Sequence, residues 1–385
     1  MKERGNPTLH LFDRYFGIPA IAILGAARVK RQAPSTIKSI GLLKIGAIGD
    51  TVLISAVIAD LRSAFPEASI IFFAGRSNLE LVRMLDGIDH IVEVPTQNLR
   101  AGIKAIRSAA VVDVLLDFGQ WSRLEALYSR LSRARFTIGF RSRGQYRHFG
   151  FDRSIAHSTE VHELENLRAL VRCLGADACN PPLIRAPQHI GQPAQPYLVF
   201  HLWPGGRRRK LKEWPIEKWL RLMEAFAGSK LNVVLTGAPV DQTRNEELIA
   251  RTPPLSQKFI TNVAGCSLEQ TAAFLASAKL VVSVDTGVMH MAAALGAPLV
   301  ALHGPTASKR WGPIGPKVTV VETTTPGCGY INLGWESPAR PPACMDGVRY
   351  EDVYEACRNQ LEQPNPVTEK LADFGYATVP GGRNA

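Results

Sequence analysis

The stretch VSVDTGVMHMAAALGAP, Val282–Pro298, carries the pattern that decides the fold. Leu280–Val284 is an apolar run of strand length, and it stops at Asp285-Thr286-Gly287. A small-residue helix is expected over Met289–Leu295, with Gly296 as its stop. A buried strand that feeds directly into an alanine-rich helix is the unit of a parallel sheet covered on both faces. The joint itself is chemically dense. It holds an acid, a hydroxyl, a glycine and, one turn into the helix, His290.

The same alternation extends outward on both sides. After residue 196 strands are expected at Tyr197–Leu202, Asn232–Thr236, Phe259–Val263, Leu280–Val284, Leu299–Leu302 and Val318–Val321. Helices are expected between them at Ile216–Ala227, Gln242–Ala250 and Leu268–Ser277, and a last one at Tyr350–Asn359. An earlier series begins at residue 38, with strands at Ser39–Lys44, Ser69–Ala74, Ile91–Val94, Val111–Asp117 and Phe136–Ile138. Its helices fall at Thr51–Phe65, Leu79–Leu85 and Glu160–Leu174. Between the two series lie five prolines from 181 to 196, which forbid a regular ladder and mark a linker. The expected organisation is an extension over 1–37, an α/β domain over 38–180, a linker over 181–196, a second α/β domain over 197–349 and a C-terminal helix and tail over 350–385. Two parallel-sheet domains of this size face each other across a cleft, the default place for a ligand.

Composition sets the class. With 46% hydrophobic and 21% charged residues, the 385-residue chain has ample core for two domains, which excludes a disordered protein. The formal charge of +11 suits nucleic acid, an anionic membrane or an acidic small molecule, and charge alone does not choose among them. Six scattered cysteines form no C-x-x-C pair, so reduced thiols in a cytosolic protein are expected. Asp13 and Arg14 interrupt the start before any apolar core, so no signal peptide is expected. The apolar run from Gly17 to Ala27 is about half a membrane span. It reads either as an interfacial helix or as a helix packed on the first domain.

Open parallel sheets bind ligands beyond the carboxyl ends of their strands, and three such joints stand out. The first is Lys44-Ile45-Gly46-Ala47-Ile48-Gly49-Asp50. Its glycines allow close backbone approach, and it lacks the G-x-G-x-x-G dinucleotide fingerprint. Asp50 precedes the expected helix, so it is either an N-cap or a base. The second joint, Trp203–Pro215, crowds five cations beside two glycines, as a solvated loop or a phosphate clamp. The third is the opening stretch. Helix N-termini bind anions, and Thr286, Gly287 and His290 are placed to help, unless His290 is simply a core histidine. Gly304-Pro305-Thr306 gives a similar turn at the next strand end, which strengthens a pyrophosphate reading.

Together these residues carry a resemblance. Lys44–Asp50, Lys212-x-Trp214-Pro215, Gly237-Ala238-Pro239, Asp285-Thr286-Gly287-x-x-His290 with Ala292–Pro298, and Gly304-Pro305-Thr306 follow in an order that resembles glycosyltransferase family 9, the ADP-heptose:lipopolysaccharide heptosyltransferases. The resemblance covers about residues 38–360. It implies a GT-B fold, two Rossmann-like domains with acceptor on the first and nucleotide sugar on the second. It also implies an inverting reaction without a metal, and no D-x-D pair of the kind that holds a metal on a diphosphate occurs in the chain.

By resemblance, Asp50 is the catalytic base and Gly46 and Gly49 border the acceptor. Lys212, Asp285, Thr286, Gly287, His290, Gly304 and Thr306 surround the donor. Asp241 stands where the family often has a ribose-binding glutamate, one methylene longer. Eight arginines between Arg123 and Arg153, with Arg141 and Arg143 among them, read either as a solvated face or as the site of an anionic acceptor.

The expected activity is transfer of a sugar, heptose from an ADP donor, onto a lipopolysaccharide core or other surface saccharide. No cofactor, no metal site and no nucleic-acid partner are expected. The expected location is cytoplasmic, at the anionic surface of an inner membrane. The alternatives are a GT-B transferase or epimerase with another nucleotide sugar, and a non-catalytic saccharide-binding protein of the same fold.

Overall fold

The computed structural model describes residues 13–362 except 14, 27–30, 188–192, 194, 207, 228–230 and 334–335. Much of the expected N-terminal extension, part of the linker and the tail beyond 362 therefore lie outside the described residues. The first half runs α1 (Gly17–Ala26), β1 (Ser39–Lys44), α2 (Ile48–Ala64), β2 (Ser69–Ala74), α3 (Leu79–Val82), β3 (His90–Glu93), α4 (Leu99–Ser108), β4 (Val114–Asp117), α5 (Arg123–Leu131), β5 (Phe136–Arg141), β6 (Arg153–Ala156) and α6 (Glu163–Arg172). The second runs β7 (Tyr197–His201), α7 (Ile216–Phe226), β8 (Asn232–Thr236), α8 (Gln242–Ala250), α9 (Pro254–Gln257), β9 (Ile260–Asn262), α10 (Leu268–Ser277), β10 (Leu280–Val284), α11 (Gly287–Ala294), β11 (Leu299–His303), α12 (Ser308–Trp311), β12 (Val318–Glu322) and α13 (Tyr350–Glu362).

Each half builds one six-stranded sheet, ordered β3-β2-β1-β4-β5-β6 and β12-β11-β10-β7-β8-β9. The pairings are parallel, with Leu43 opposite Asp117 in one sheet and Ser283 opposite His201 in the other. Read from the first strand of each half, the two orders are the same. Both reverse direction between their first and fourth strands, and such a switch point opens a crevice for ligands. The joints after β1 and β4 flank one crevice, and those after β7 and β10 flank the other.

The halves meet through α2 and α11. One apolar core takes in Val52, Leu53 and Val57 of α2 together with Met289, Met291 and Ala292 of α11. Fully burying one such side chain contributes about 1.5–3 kcal/mol, so this contact is a large part of what joins the halves. A Cβ on Gly287 would lie 2.7 Å from Ile48 Cβ and 3.1 Å from Gly49 N. A Cβ on Gly49 would lie 3.0 Å from His290 Cδ2. The two helix starts therefore touch, where the sequence suggests only an open cleft. Part of the proline-rich linker joins this contact, since Ile184 N donates to Ala294 O at 3.2 Å.

Several expectations are corrected here. The helix after β1 begins at Ile48, because Ala47 O already accepts from Thr51 N at 2.9 Å. Asp50 thus sits inside the first turn and is not the N-cap, a position held by Ala47 at φ 68°. Strand β6 is absent from the sequence reading, because RSIA at a sheet edge buries little and shows no apolar run. The expectation of six reduced thiols fails for two of them: Cys328 and Cys344 are disulfide-bonded. Sixteen residues separate them, and only the folded loop brings them together. Cys173, Cys179, Cys266 and Cys357 are free thiols.

Helix α1 packs on the first half through buried Ile21, which shares a small core with Ala126 and Phe151. Arg130 Nε donates to Leu24 O at 2.9 Å, and Arg123 pairs with Asp13 at 2.7 Å. Its opposite face is apolar and exposed at Pro19, Ile23 and Ala26, and Tyr15 and Phe16 just before the helix are exposed as well.

Candidate active site

Strand β1 ends on a lysine, and that lysine is buried. Lys44 Nζ lies 2.7 Å from Asp50 Oδ2. It also donates to Gln120 Oε1 at 2.8 Å and Phe118 O at 3.2 Å. Gln120, just beyond β4, turns its amide nitrogen to two carboxylates: Asp50 Oδ2 at 3.0 Å and Glu163 Oε1 at 2.8 Å. Its orientation is fixed, with oxygen toward the cation and nitrogen toward the anions. The switch point of the first sheet thus holds Asp50 between a cation and an amide donor. A carboxylate kept ionised and oriented can accept a proton.

Glu163, at the start of α6, has no exposed surface. It accepts from His157 Nε2, Asn166 Nδ2 and Gln120, and Arg310 of the second half makes a close ion pair with it. Burial pushes the Glu163 carboxyl up, but the His157 hydrogen bond and the charges of His157 and Arg310 outweigh it and hold the group below its usual value. A second contact joins the halves nearby. His162 Nδ1 accepts from Leu164 N, and Nε2 donates to Gly312 O at 2.9 Å.

In the second half, Lys212 Nζ donates to Asp285 O at 3.0 Å and lies 3.4 Å from Asp285 Oδ2. Burial pushes the Asp285 carboxyl up, but Lys212, His303 and His290 pull it down further, so it stays ionised at neutral pH. Thr286 is the N-cap of α11, its hydroxyl accepting from Val288 N at 3.0 Å. The helix therefore starts two residues before the sequence suggests, and Gly287 is its first residue. His290 is 5% exposed and its Nδ1 has no partner among the described residues. Burial lowers its pKa to about 4, so it is a neutral imidazole at physiological pH. A buried polar atom without a partner costs stability unless a ligand supplies one. His303 Nε2 is likewise buried and unpartnered.

Two cavities flank this junction. One of about 270 Å³ is lined by His303, Gly304, Thr306, Glu322, Thr323 and Cys328, at the turns after β11 and β12. The other, of about 450 Å³, is lined by Arg141, Arg143, Tyr146, His148 and His157, in the first half. His157 forms a direct link from that second cavity to Glu163 and so to Gln120 and Asp50.

The structure brings most of the expected site residues together at the α2–α11 junction, and it sets others apart. Gly46 borders Ser77 rather than open space, and Gly49 faces His290. Gly304 packs against Met345. Asp241 turns back on its own loop, accepting from Ala238 N at 2.9 Å, so its short side chain completes a turn. The eight-arginine stretch is neither a uniform solvated face nor one site. Arg123 and Arg147 are buried in ion pairs with Asp13 and Asp117, and Arg130 and Arg153 bond to backbone oxygens. Arg135 pairs with Asp113, while Arg141 and Arg143 line the larger cavity. Sequence reasoning missed Gln120, Glu163, His157 and Arg310. Lys44 is quoted in the first motif without a role; a lysine closing a fully apolar strand was the signal.

Comparison with known proteins agrees with the expected family and fold. The profile of glycosyltransferase family 9 (heptosyltransferase) matches residues 126–329, just over half of the chain. Lipopolysaccharide heptosyltransferase 2 of Salmonella typhimurium is 34% identical over 32% of this chain and 35% of its own length. The chain thus spans about a third of the length of that curated relative. The lipopolysaccharide core heptosyltransferase OpsX of Haemophilus influenzae is 24% identical over 82% of this chain and 95% of its own. The solved structure of E. coli ADP-heptose LPS heptosyltransferase II superposes with a TM-score of 0.70 at 20% identity, covering 86% of this chain and 99% of that one. The two sheets thus form the GT-B fold.

Proposed function

This chain belongs to glycosyltransferase family 9, and from that membership we propose that it is an inverting glycosyltransferase. It moves heptose from ADP-heptose to a lipopolysaccharide core or a similar anionic saccharide. The curated relatives are named as heptosyltransferases, which supports the donor. The observation that carries the reading is the meeting of Asp50, held by Lys44 and Gln120, with the N-terminus of α11 and His290.

Asp50 takes the proton of the acceptor hydroxyl as that oxygen forms its bond to the sugar's C1. The bond from C1 to the diphosphate breaks, and ADP departs from the opposite face, which inverts the anomeric carbon. Negative charge grows on the leaving diphosphate. Lys212, the free amides of α11 and a neutral His290 N–H are placed to receive it without a metal. Arg141 and Arg143 hold an anionic acceptor from the larger cavity. The working division is acceptor domain 38–180, linker 181–196 and donor domain 197–349, flanked by the extension 1–37 and the C-terminal segment 350–385.

No helix of the described residues is long and apolar enough to cross a membrane. The contact with a cytoplasmic anionic membrane surface is peripheral, through the apolar outer face of α1, where Ile23 is 69% exposed, and Tyr15 just before the helix, 68% exposed.

Asp50→Asn tests the mechanism. The expected loss of kcat for heptosyl transfer from ADP-heptose is about 10²–10⁴-fold, the usual range for a general base. ADP affinity by calorimetry should match the parent, with or without EDTA. Near-parental transfer would remove Asp50 from the mechanism, and a loss of ADP binding on chelation would overturn the metal-free step.

A further inference from the structure

We propose that Arg310 is a positioning residue through which the donor domain sets the charge around Asp50, an inference that rests on the reading of Asp50 as the base. Arg310 lies on α12, four residues beyond the Gly304-Pro305-Thr306 turn of the donor side. It is 5% exposed and crosses the junction to ion-pair with fully buried Glu163. Its Nε donates to Asn332 Oδ1 at 3.0 Å, and its guanidinium lies 4.4 Å from the Trp311 ring centroid. The fork is thus aimed at one carboxylate by two neighbours of its own domain.

Glu163 and Asp50 are two buried carboxylates joined by a single amide, Gln120 Nε2. Like charges so close each make the other hold its proton more tightly. Arg310 offsets the charge of Glu163. The charged and titratable groups facing the pair are Lys44 from β1, His157 beyond β6, His162 at the start of α6, Arg310 from α12 and His290 from α11. Of these, Arg310 is the group with a permanent charge that the donor domain contributes. Without it, the uncompensated carboxylate of Glu163 presses on Asp50 through a medium that screens poorly. Asp50 then keeps its proton to higher pH, and at a given acidic pH fewer molecules carry an ionised base. The base is therefore ready only while the donor-side turn is docked against α6.

This predicts a charge effect that a packing defect would not give. On the acidic side of its profile Arg310→Met should lower kcat/KM by up to about tenfold, the most that a one-unit shift of the base gives. The acidic limb of its pH profile for kcat/KM should move upward by about one unit, the size expected for a nearby like charge. ADP affinity by calorimetry should stay within about threefold of the parent, since Arg310 acts through Glu163. Adding Glu163→Gln to Arg310→Met removes both charges, and the limb should return to its parental position. That double variant removes both members of the ion pair, so it is also the variant expected to fold if Arg310→Met does not. Arg310→Lys, which keeps the charge, should shift the limb less than Arg310→Met.

An unshifted limb in Arg310→Met, or a shift that Glu163→Gln fails to reverse, would overturn the proposal. A parallel loss of ADP affinity would do so too, because Arg310 would then be a donor contact. Asp50→Asn measured alongside separates the failures. If Asp50→Asn is active, the base reading falls. If it is inactive while the Arg310 variants behave as parent, only the present inference falls.

Discussion

At the scale of single residues, the proposed donor side is a set of polar atoms with incomplete partners. Lys212 donates to one backbone oxygen and reaches the Asp285 carboxylate only at 3.4 Å, and His290 Nδ1 is buried without a partner among the described residues. Lys212→Ala and His290→Ala should each weaken ADP binding by about 1–3 kcal/mol, the worth of a hydrogen bond to a charged group. Calorimetry with ADP reads this directly, and parental affinity in either variant would make that residue structural. The same burial has a consequence for pH. His290 and His201 are both driven down from 6.5 to about 4 by burial. In the unfolded chain each takes up a proton near its ordinary value, while in the folded chain each stays neutral until about 4. The unfolded state thus binds more protons across that window, so stability falls as pH drops from about 6.5 toward 4 and is unaffected by these groups above it. Urea midpoints near pH 7 and near pH 5 should differ, and His201→Gln should reduce the difference. An unchanged slope in that variant would mean that His201 is already solvated.

At the scale of elements, α1 packs on the first half, one of the two readings that the sequence left open, and the interfacial role is proposed for its other face. Its inner face is fixed by Ile21 and Arg130, yet its outer face is apolar and open. Ile23→Asp should leave the melting temperature within a degree or two, because an exposed side chain contributes little to folding. It should sharply reduce sedimentation with anionic phospholipid vesicles, and parental sedimentation would place membrane contact elsewhere. The elements were largely legible. Apolar runs of strand length, such as Leu280–Val284, carry their own signal, and the switch points follow from the order in which such runs recur. The site was legible only where chemistry is local. Asp285, Thr286 and His290 lie within one joint, and Lys212 sits in a recognisable run. Gln120 reaches Asp50 across 70 residues, and Arg310 reaches Glu163 across 147. Contacts of that separation depend on how two domains dock, and no periodicity records them. Asp50 illustrates the difference. Its motif was evident, while its place inside the helix depended on Ala47 adopting φ 68°, a conformation that an alanine seldom announces.

At the scale of the whole molecule, the proposed function requires that two domains present acceptor and donor at one point. Two helix starts meet there with almost no side chain between them. Gly287 and Gly49 are what make the approach possible. A methyl group on Gly287 would stand 2.7 Å from Ile48 Cβ and 2.8 Å from Ile48 Cγ2, closer than carbon atoms tolerate. It would also stand 3.1 Å from Gly49 N, which is backbone and has no rotamer to escape into. Gly287 is not among the positive-φ glycines, so alanine meets no conformational barrier of its own there. The whole effect must therefore come from the contact between the halves. Overpacking of this kind costs about 1–3 kcal/mol when a core cannot yield. Here the neighbouring domain can yield by moving as a body. Gly287→Ala should then push α11 away from α2, lengthen the separation of Asp50 from His290 and lower kcat strongly, with each sheet intact. Small-angle scattering should show a larger radius of gyration, and thermal unfolding should separate into two transitions as the shared core is weakened. If Gly287→Ala keeps the parental radius and a single transition while losing activity, the methyl group acts locally on the diphosphate turn. The docking of α2 on α11 would then not be what holds the halves in register.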